Sequence, residues 1–329
     1  MKIWIDIKMP HEPAMFSSLI SKLGNHEYYF TCRNYSEIVK LTQDHGINAK
    51  VIGSKPSGSL FYRKLGFIFR VIKLYFSVPK FDLALHHGSI WAALTSSLRR
   101  KPSICITDNE VNHVLNKKMF KWTTILLTPE SIDRKILVDD NMAPDSIYNF
   151  KGFKEQIYIA DYKPDSDFLS KIPFKEYVIV RPEALDAIYN RNNQTIVPNL
   201  VKEMEKHNIN VIYLARTEKD KSWLVDNKNI FVLPEPLNGL DLCYYSNCVL
   251  TGSGTMGREA ACMGIPSISF YPSKLLAVDQ KLVDEGRIFR SRDVMKIVKY
   301  VLASTRNNID FDESKKAQRS VVKKLKENI

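Results

Sequence analysis

The sequence predicts an α/β protein of two Rossmann-like domains, each a doubly wound parallel sheet with helices on both faces, the pair facing a central cleft. Three observations lead there. Strand and helix signals alternate almost throughout, the pattern of parallel strands joined by helical crossovers. The rhythm breaks once, over 150–173, where Gly152, Pro164, Pro173 and clustered acids read as a linker. The 329 residues, at a prior of about 150 per domain, suggest two domains.

The elements follow in order. Residues 3–7 are a short β run, followed by the loop 8–13. A helical pattern over 14–23 puts Phe16, Leu19, Ile20 and Leu23 on one face, with Gly24 as its stop. Strand 28–32, helix 35–45 closed by Gly46, and strand 49–52 come next. Past a long segment at 60–78 stand strand 83–85, helix 90–98, strand 103–107, helix 112–120 and strand 124–128. After the break a second series runs: strand 177–180, helix 195–207, strands 210–215, 230–233 and 248–251, helix 256–263 and strand 267–271. The expected division is 1–165, 166–310 and a basic C-terminal helix at 311–329. There, Lys315, Lys316, Lys323, Lys324 and Lys326 mark a solvated face.

Composition narrows the class. With 44% hydrophobic and 26% charged residues the chain is neither disordered nor collagen-like nor a small disulfide scaffold. Its net charge of +12 attracts phosphates, whether on nucleotides, nucleic acid or anionic lipid. No aromatic and basic interleaving forms a nucleic-acid motif. The cysteines Cys32, Cys105, Cys243, Cys248 and Cys262 lack CxxC spacing and read as buried reduced thiols of a cytoplasmic protein. Asp6 falls where a signal peptide needs its apolar run, and no apolar stretch reaches the ~20 residues of a membrane span. Any membrane contact is therefore expected to be peripheral. Its candidate is 61–78, helical and apolar nearly all round, with Arg63, Lys64, Arg70 and Lys73 on one half of the wheel. No acid occurs from His45 to Phe81. A core helix with a solvated basic edge and an interfacial helix on anionic lipid both fit.

The strongest chemical signal is 247–272. A buried strand runs into Thr251-Gly252-Ser253-Gly254-Thr255, and a helix opens at once. Glycines let backbone approach a ligand, and a helix N-terminus offers N–H groups and a positive dipole to phosphate. Glu259, one turn inside, has the chemistry to accept from ribose hydroxyls, or serves the helix dipole. Arg181 and Arg216 each follow a β run and emerge where α/β proteins bind ligands, suited to a diphosphate. His86-His87-Gly88 and Asp108-Asn109-Glu110 likewise end strands. His87, Asp108 and Glu110 are candidates for acid–base catalysis. Asp165-Ser166-Asp167 has the spacing of a nucleotide-cation site but no preceding buried strand. HExxH, CxxC and GKS/GKT are absent, so no metal is expected.

These residues resemble a known family. The strand, Gly/Ser turn, Glu-bearing helix and Gly264-Ile265-Pro266 are similar to the donor site of GT-B glycosyltransferases and non-hydrolysing UDP-N-acetylglucosamine 2-epimerases. More closely, KIWIDI at the start, the stretch at His86–Ser89, TDNE at 107–110, KGFKE at 151–155 and GSGTMGREAA resemble the largely archaeal family called domain of unknown function 354. The resemblance covers about the first 300 residues. It implies a GT-B fold with a nucleotide-sugar donor, UDP-linked, held mainly by the second domain. Ser253, Gly254 and Thr255 would cradle its phosphates, Glu259 the ribose, and the segment 231–237 the base. His11 falls in the loop where several GT-B transferases carry the base toward the acceptor. The expectation is a metal-independent glycosyltransferase without a further cofactor. Its acceptor would be a glycan, lipid or small molecule; a sugar-nucleotide epimerase is the alternative.

Overall fold

The structure is a computed structural model that describes residues 1–35, 37–54, 59–184, 194–224, 228–306 and 311–329, apart from the Leu60 side chain. The chain divides into two units, Met1–Ala160 with Glu313–Ile329, and Asp161–Asp312.

The first unit begins β1 (Lys2–Ile7), α1 (Glu12–Leu23), β2 (Glu27–Asn34), α2 (Ile38–Asp44), β3 (Ala49–Ser54), α3 (Leu60–Ser77), β4 (Leu83–His87) and α4 (Ile90–Leu98). It continues β5 (Ser103–Ile106), α5 (His113–Phe120), β6 (Ile125–Pro129), α6 (Arg134–Asp139), β7 (Ile147–Phe150) and α7 (Lys154–Ile159). All seven strands are parallel, in the order β3-β2-β1-β4-β5-β6-β7. Strands covered on both faces read as continuous apolar runs; accordingly Ile3, Trp4, Ile5, Ile7, Ala84, Leu85, Ile104 and Ile106 are buried.

The second unit runs β8 (Val178–Arg181), α8 (Val197–Lys206), β9 (Val211–Tyr213), α9 (Glu218–Lys221), β10 (Ile230–Val232), α10 (Gly239–Tyr245) and β11 (Cys248–Thr251). It ends with α11 (Gly254–Cys262), β12 (Ser267–Ser269), α12 (Ala277–Asp284), β13 (Ile288–Arg290) and α13 (Val294–Ala303). Its parallel order is β10-β9-β8-β11-β12-β13. In each sheet the chain walks outward from one central strand, then restarts on that strand's other side. The switch points are β1/β4 and β8/β11, the places where ligands bind in open α/β sheets.

Three expectations need correction. The segment from 150 is no linker at its start. α7 is buried along its whole length, and the boundary between units falls after Ala160. The C-terminal helix α14 (Asp312–Lys326) is not a separate solvated element. Its lysines face outward, but Ser314, Ala317, Gln318, Val321 and Leu325 are buried in the first unit. Gln318 Nε2 donates to Ser18 Oγ at 2.8 Å and to the Ile157 carbonyl at 3.2 Å.

The third correction concerns α3. Arg70 does not belong to a solvated basic edge. It turns inward, 3% exposed, and its guanidinium clasps Asp6 at 2.7 and 3.1 Å while donating to the Ile52 carbonyl. Val71, Leu74 and Val78 pack on the core beside it. Leu74 and Val78 share a cluster with Trp4 and Phe81. α3 is thus a core helix on one side only, because its outer face is apolar and exposed.

All five cysteines are buried, and none forms a disulfide. Burial pushes the Cys32 thiol up to about 11, with Asp6 adding to it, and the Cys105 thiol up to about 12. Cys243 and Cys248 are raised by burial in the same direction.

Candidate functional site

Unit 1 gathers ionisable groups at the β1/β4 switch point. The loop after β1 delivers His11 and Glu12, Pro13 setting the first turn of α1. β4 ends on His86 and His87. Gly88, at φ +55°, makes the left-handed turn that a side chain would strain. Ser89 then caps α4, accepting from the Ala92 N–H. Its hydroxyl also donates to Asp6 at 2.7 Å, and Thr31 donates to the same carboxylate. Burial raises the Asp6 pKa, but Arg70, Ser89 and Thr31 outweigh it and hold the group below its ordinary value. Asp6 thus ties α3, β2 and α4 to the strand that carries the site.

His87 lies between two carboxylates. Its Nδ1 is 3.0 Å from Glu12 Oε1, and its Nε2 is 3.4 Å from Asp108 Oδ1, the longer contact. The Lys8 backbone N–H donates to Glu12 Oε2 at 2.6 Å. The Lys154 ammonium, from α7, sits 2.9 Å from Asp108 Oδ2 and 3.5 Å from Glu155 Oε1. These side chains are almost fully buried, where an unpaired charge is costly, and the Lys154 ammonium stands between the Asp108 and Glu155 carboxylates. His11 packs edge-on to His87 with ring centroids 5.1 Å apart. Burial first, then the Lys154 charge and His87, hold its pKa well below the histidine value. Its Nε2 is buried without a partner.

Of the residues expected from sequence, the structure therefore brings His11, His87 and Asp108 together. Glu110 is buried two residues beyond Asp108 at the same β5 exit. Glu12 and Lys154 escaped the sequence reading. Glu12 stood beside His11 in the loop, and Lys154 stood in KGFKE but was assigned to a linker. His86 is structural: its Nδ1 accepts the Ser89 N–H at 3.1 Å, and burial pushes its pKa down to about 3.

Unit 2 places the other expected residues around the β8/β11 switch point. Arg181 ends β8 and is the register partner of Thr251, which ends β11. The Arg181 Nε is buried with no partner. Ser253 occupies the N-cap position of α11 but its side chain does not cap the helix. Its hydroxyl meets the Thr251 hydroxyl at 3.0 Å, so the amides at Gly254 and Thr255 are not shielded by it. Burial, then the charge of Glu259, raises the Cys243 thiol, which Arg181 opposes. Glu259 and Arg181 thus share one neighbourhood beside α10.

Two residues near this switch point also support the fold. Gly252 serves the fold: a Cβ there would sit 2.6–2.7 Å from Glu183 atoms, backbone included. Arg216, beyond β9, donates its Nε–H to the Pro182 carbonyl at 3.0 Å, bracing the chain that leaves β8. Glu183, unnoticed in the sequence, is 1% exposed. It binds the Arg292 guanidinium at 3.1 Å and the Thr195 hydroxyl at 2.8 Å. In the Asp165-Ser166-Asp167 stretch, Asp165 instead pairs with Lys171 and accepts the Asp167 N–H.

His11, Glu12 and His87 present ligand atoms within 4.8 Å of one another, close enough to hold a metal ion. A cation there would compete with the Glu12–His87 hydrogen bond beside the positive charges of Lys154 and Lys8, both of which act on His11. The set fits proton exchange better than metal binding.

Two parallel, doubly wound units make this an α/β protein of GT-B type. The chain belongs to the family described as Protein of unknown function (DUF354), which it matches over residues 1–328. An uncharacterized protein of Methanocaldococcus jannaschii is 28% identical over 318 residues, 91% of this chain and 90% of that one. Among solved structures, UDP-GlcNAc 2-epimerase of the same organism, in complex with UDP-GlcNAc and UDP, superposes with a TM-score of 0.76 at 20% identity, covering 99% of both chains. UDP-GlcNAc 2-epimerase from Neisseria meningitidis, bound to UDP-GlcNAc, gives 0.74 at 14% identity over the whole of both. The glycotransferase of kitacinnamycin gives 0.58 at 10% identity, covering 98% of this chain and 95% of that one.

Proposed function

We propose that the protein is a glycosyltransferase that takes its sugar from a nucleoside-diphosphate donor. The observation that carries the reading is where the charged groups gather: an acid–base set at the switch point of unit 1 and an anion-binding set at that of unit 2. The diphosphate is taken by the α11 N-terminus at Ser253, Gly254 and Thr255 together with Arg181. Glu259 accepts from the ribose hydroxyls, and Arg216 positions the β8 exit. The donor is assigned as UDP-linked because proteins of this fold were solved with UDP-GlcNAc and UDP.

His87 is the base in this reading. Glu12 accepts from Nδ1–H and fixes the tautomer, which leaves the Nε2 lone pair for the acceptor hydroxyl's proton. The acceptor oxygen then bonds to the anomeric carbon as the bond to the diphosphate breaks. Asp108, near Nε2, receives or returns the proton. His11, neutral and packed on His87, offers its Nε2 to a hydroxyl, and Glu110 is the reserve carboxylate. The acceptor is a glycan, a lipid or a small molecule.

A second reading is a sugar-nucleotide epimerase. Its support is that two carboxylates, Glu12 and Asp108, flank one imidazole, a set able to take a proton from a sugar and return one. The full-length likeness to 2-epimerases points the same way. Incubation with a panel of nucleotide sugars decides between them. Release of free nucleoside diphosphate supports transfer; a new sugar nucleotide without release supports epimerisation; no change with any donor removes both.

A further inference from the structure

Helix α3 presents a face that the described residues leave uncovered. At 100° per residue, Phe61, Leu65, Ile68, Phe69, Ile72 and Phe76 fall on one side of it, opposite the core-facing Arg70, Val71 and Leu74. Phe61 is 65% exposed, Phe69 58% and Phe76 80%. Isolated exposed apolar residues need no explanation, but a contiguous stripe along 18 helical residues does. The stripe is locked outward. Rotating α3 to bury it would pull Arg70 from the buried Asp6 carboxylate, leaving a buried charge without its partner.

Charge says what covers the stripe. Lys64 and Lys73 stand on its two opposite flanks, both exposed, with the exposed Arg63 one residue before Lys64. The Lys73 ammonium lies 4.4 Å from the Phe69 ring centroid, its stem running along the apolar surface as a snorkelling lysine does. No acid occurs between Asp44 and Asp82. A second copy of the chain is a poor occupant, because a two-fold interface would set these cations against their own symmetry mates. No described helix is long and apolar enough to cross a membrane. We infer that α3 is an interfacial helix that lies in the plane of a bilayer carrying anionic lipid, its stripe among the acyl chains and Lys64 and Lys73 at the headgroups. The inference stands apart from the proposed catalysis, since none of these side chains belongs to either switch-point site.

The test is flotation of the full chain with vesicles of phosphatidylcholine alone and of phosphatidylcholine mixed with phosphatidylglycerol, at low and high salt. The wild type should float with the mixed vesicles, weakly with the neutral ones, and less at high salt. Lys64→Glu/Lys73→Glu should weaken binding about tenfold or more, and Phe69→Ser/Phe76→Ser should abolish it. Thermal melting of both variants at the wild-type temperature keeps misfolding out of the comparison. Equal binding to neutral vesicles, or binding that both folded variants retain, overturns the proposal. So does a failure to float joined to concentration-dependent dimerisation in sedimentation, which would assign the face to a second copy.

Discussion

His87 carries the proposed proton transfer, and its neighbours define what each change should do. His87→Ala should lower kcat by ~10²–10⁴ while leaving donor affinity unchanged, and Asp108→Asn should fall in the same direction; steady-state kinetics with calorimetry of UDP binding separates the two quantities. In unit 2, Glu259→Ala should weaken UDP binding by ~1.5–3 kcal/mol, the worth of a charge-assisted hydrogen bond. Calorimetry showing full affinity in the folded variant would remove Glu259 from the ribose. His86 makes a separate prediction about pH. It is held neutral to about pH 3 in the folded chain but protonates near 6.5 when unfolded. Its contribution is therefore complete above pH 6.5 and is lost as pH falls toward 3. His11 acts in the same direction. At pH 5 the His86 share amounts to about 2 kcal/mol, and His86→Asn, whose amide oxygen can still accept the Ser89 N–H, should remove it. Urea unfolding at pH 7 and pH 5 measures the difference. Asp6, with its lowered pKa, joins this loss only below about pH 4, its unfolded value.

At the scale of elements, α14 is the sharpest case. Leu325 is fully buried in the first unit, so Leu325→Ala should destabilise that unit by about 2–5 kcal/mol, read by denaturant unfolding. Its five lysines were legible as a polar face, yet Gln318 on the buried face finds its partners, Ser18 and the Ile157 carbonyl, only in tertiary contact. The alternation of strands and helices was legible because both periods repeat over many residues. β7 and β13, short edge strands that are only partly buried, were not. The catalytic candidates at strand ends could be named because a parallel sheet places every carboxyl end on one edge. Lys154 could not, because its meaning lies in Asp108, distant in sequence and reached only through the order of β5, β6 and β7. Arg70 was misread for a related reason: the helical wheel gave its side but not Asp6, the buried acid that draws it inward.

Over the whole molecule the same plan is used twice, and each unit keeps its own core and its own reactive edge. The buried thiols turn this division into a measurement. Cys32 and Cys105 lie in the first unit, and Cys243, Cys248 and Cys262 in the second. An alkylating reagent attacks only thiolate; all five thiols are buried out of reach, and burial raises the pKa of Cys32, Cys105, Cys243 and Cys248. Labelling should therefore proceed at the rate each unit opens, and mass spectrometry of the separate peptides should resolve two clocks in one sample. UDP should slow the three-cysteine clock by an amount set by its affinity. Leu325→Ala should speed the other alone.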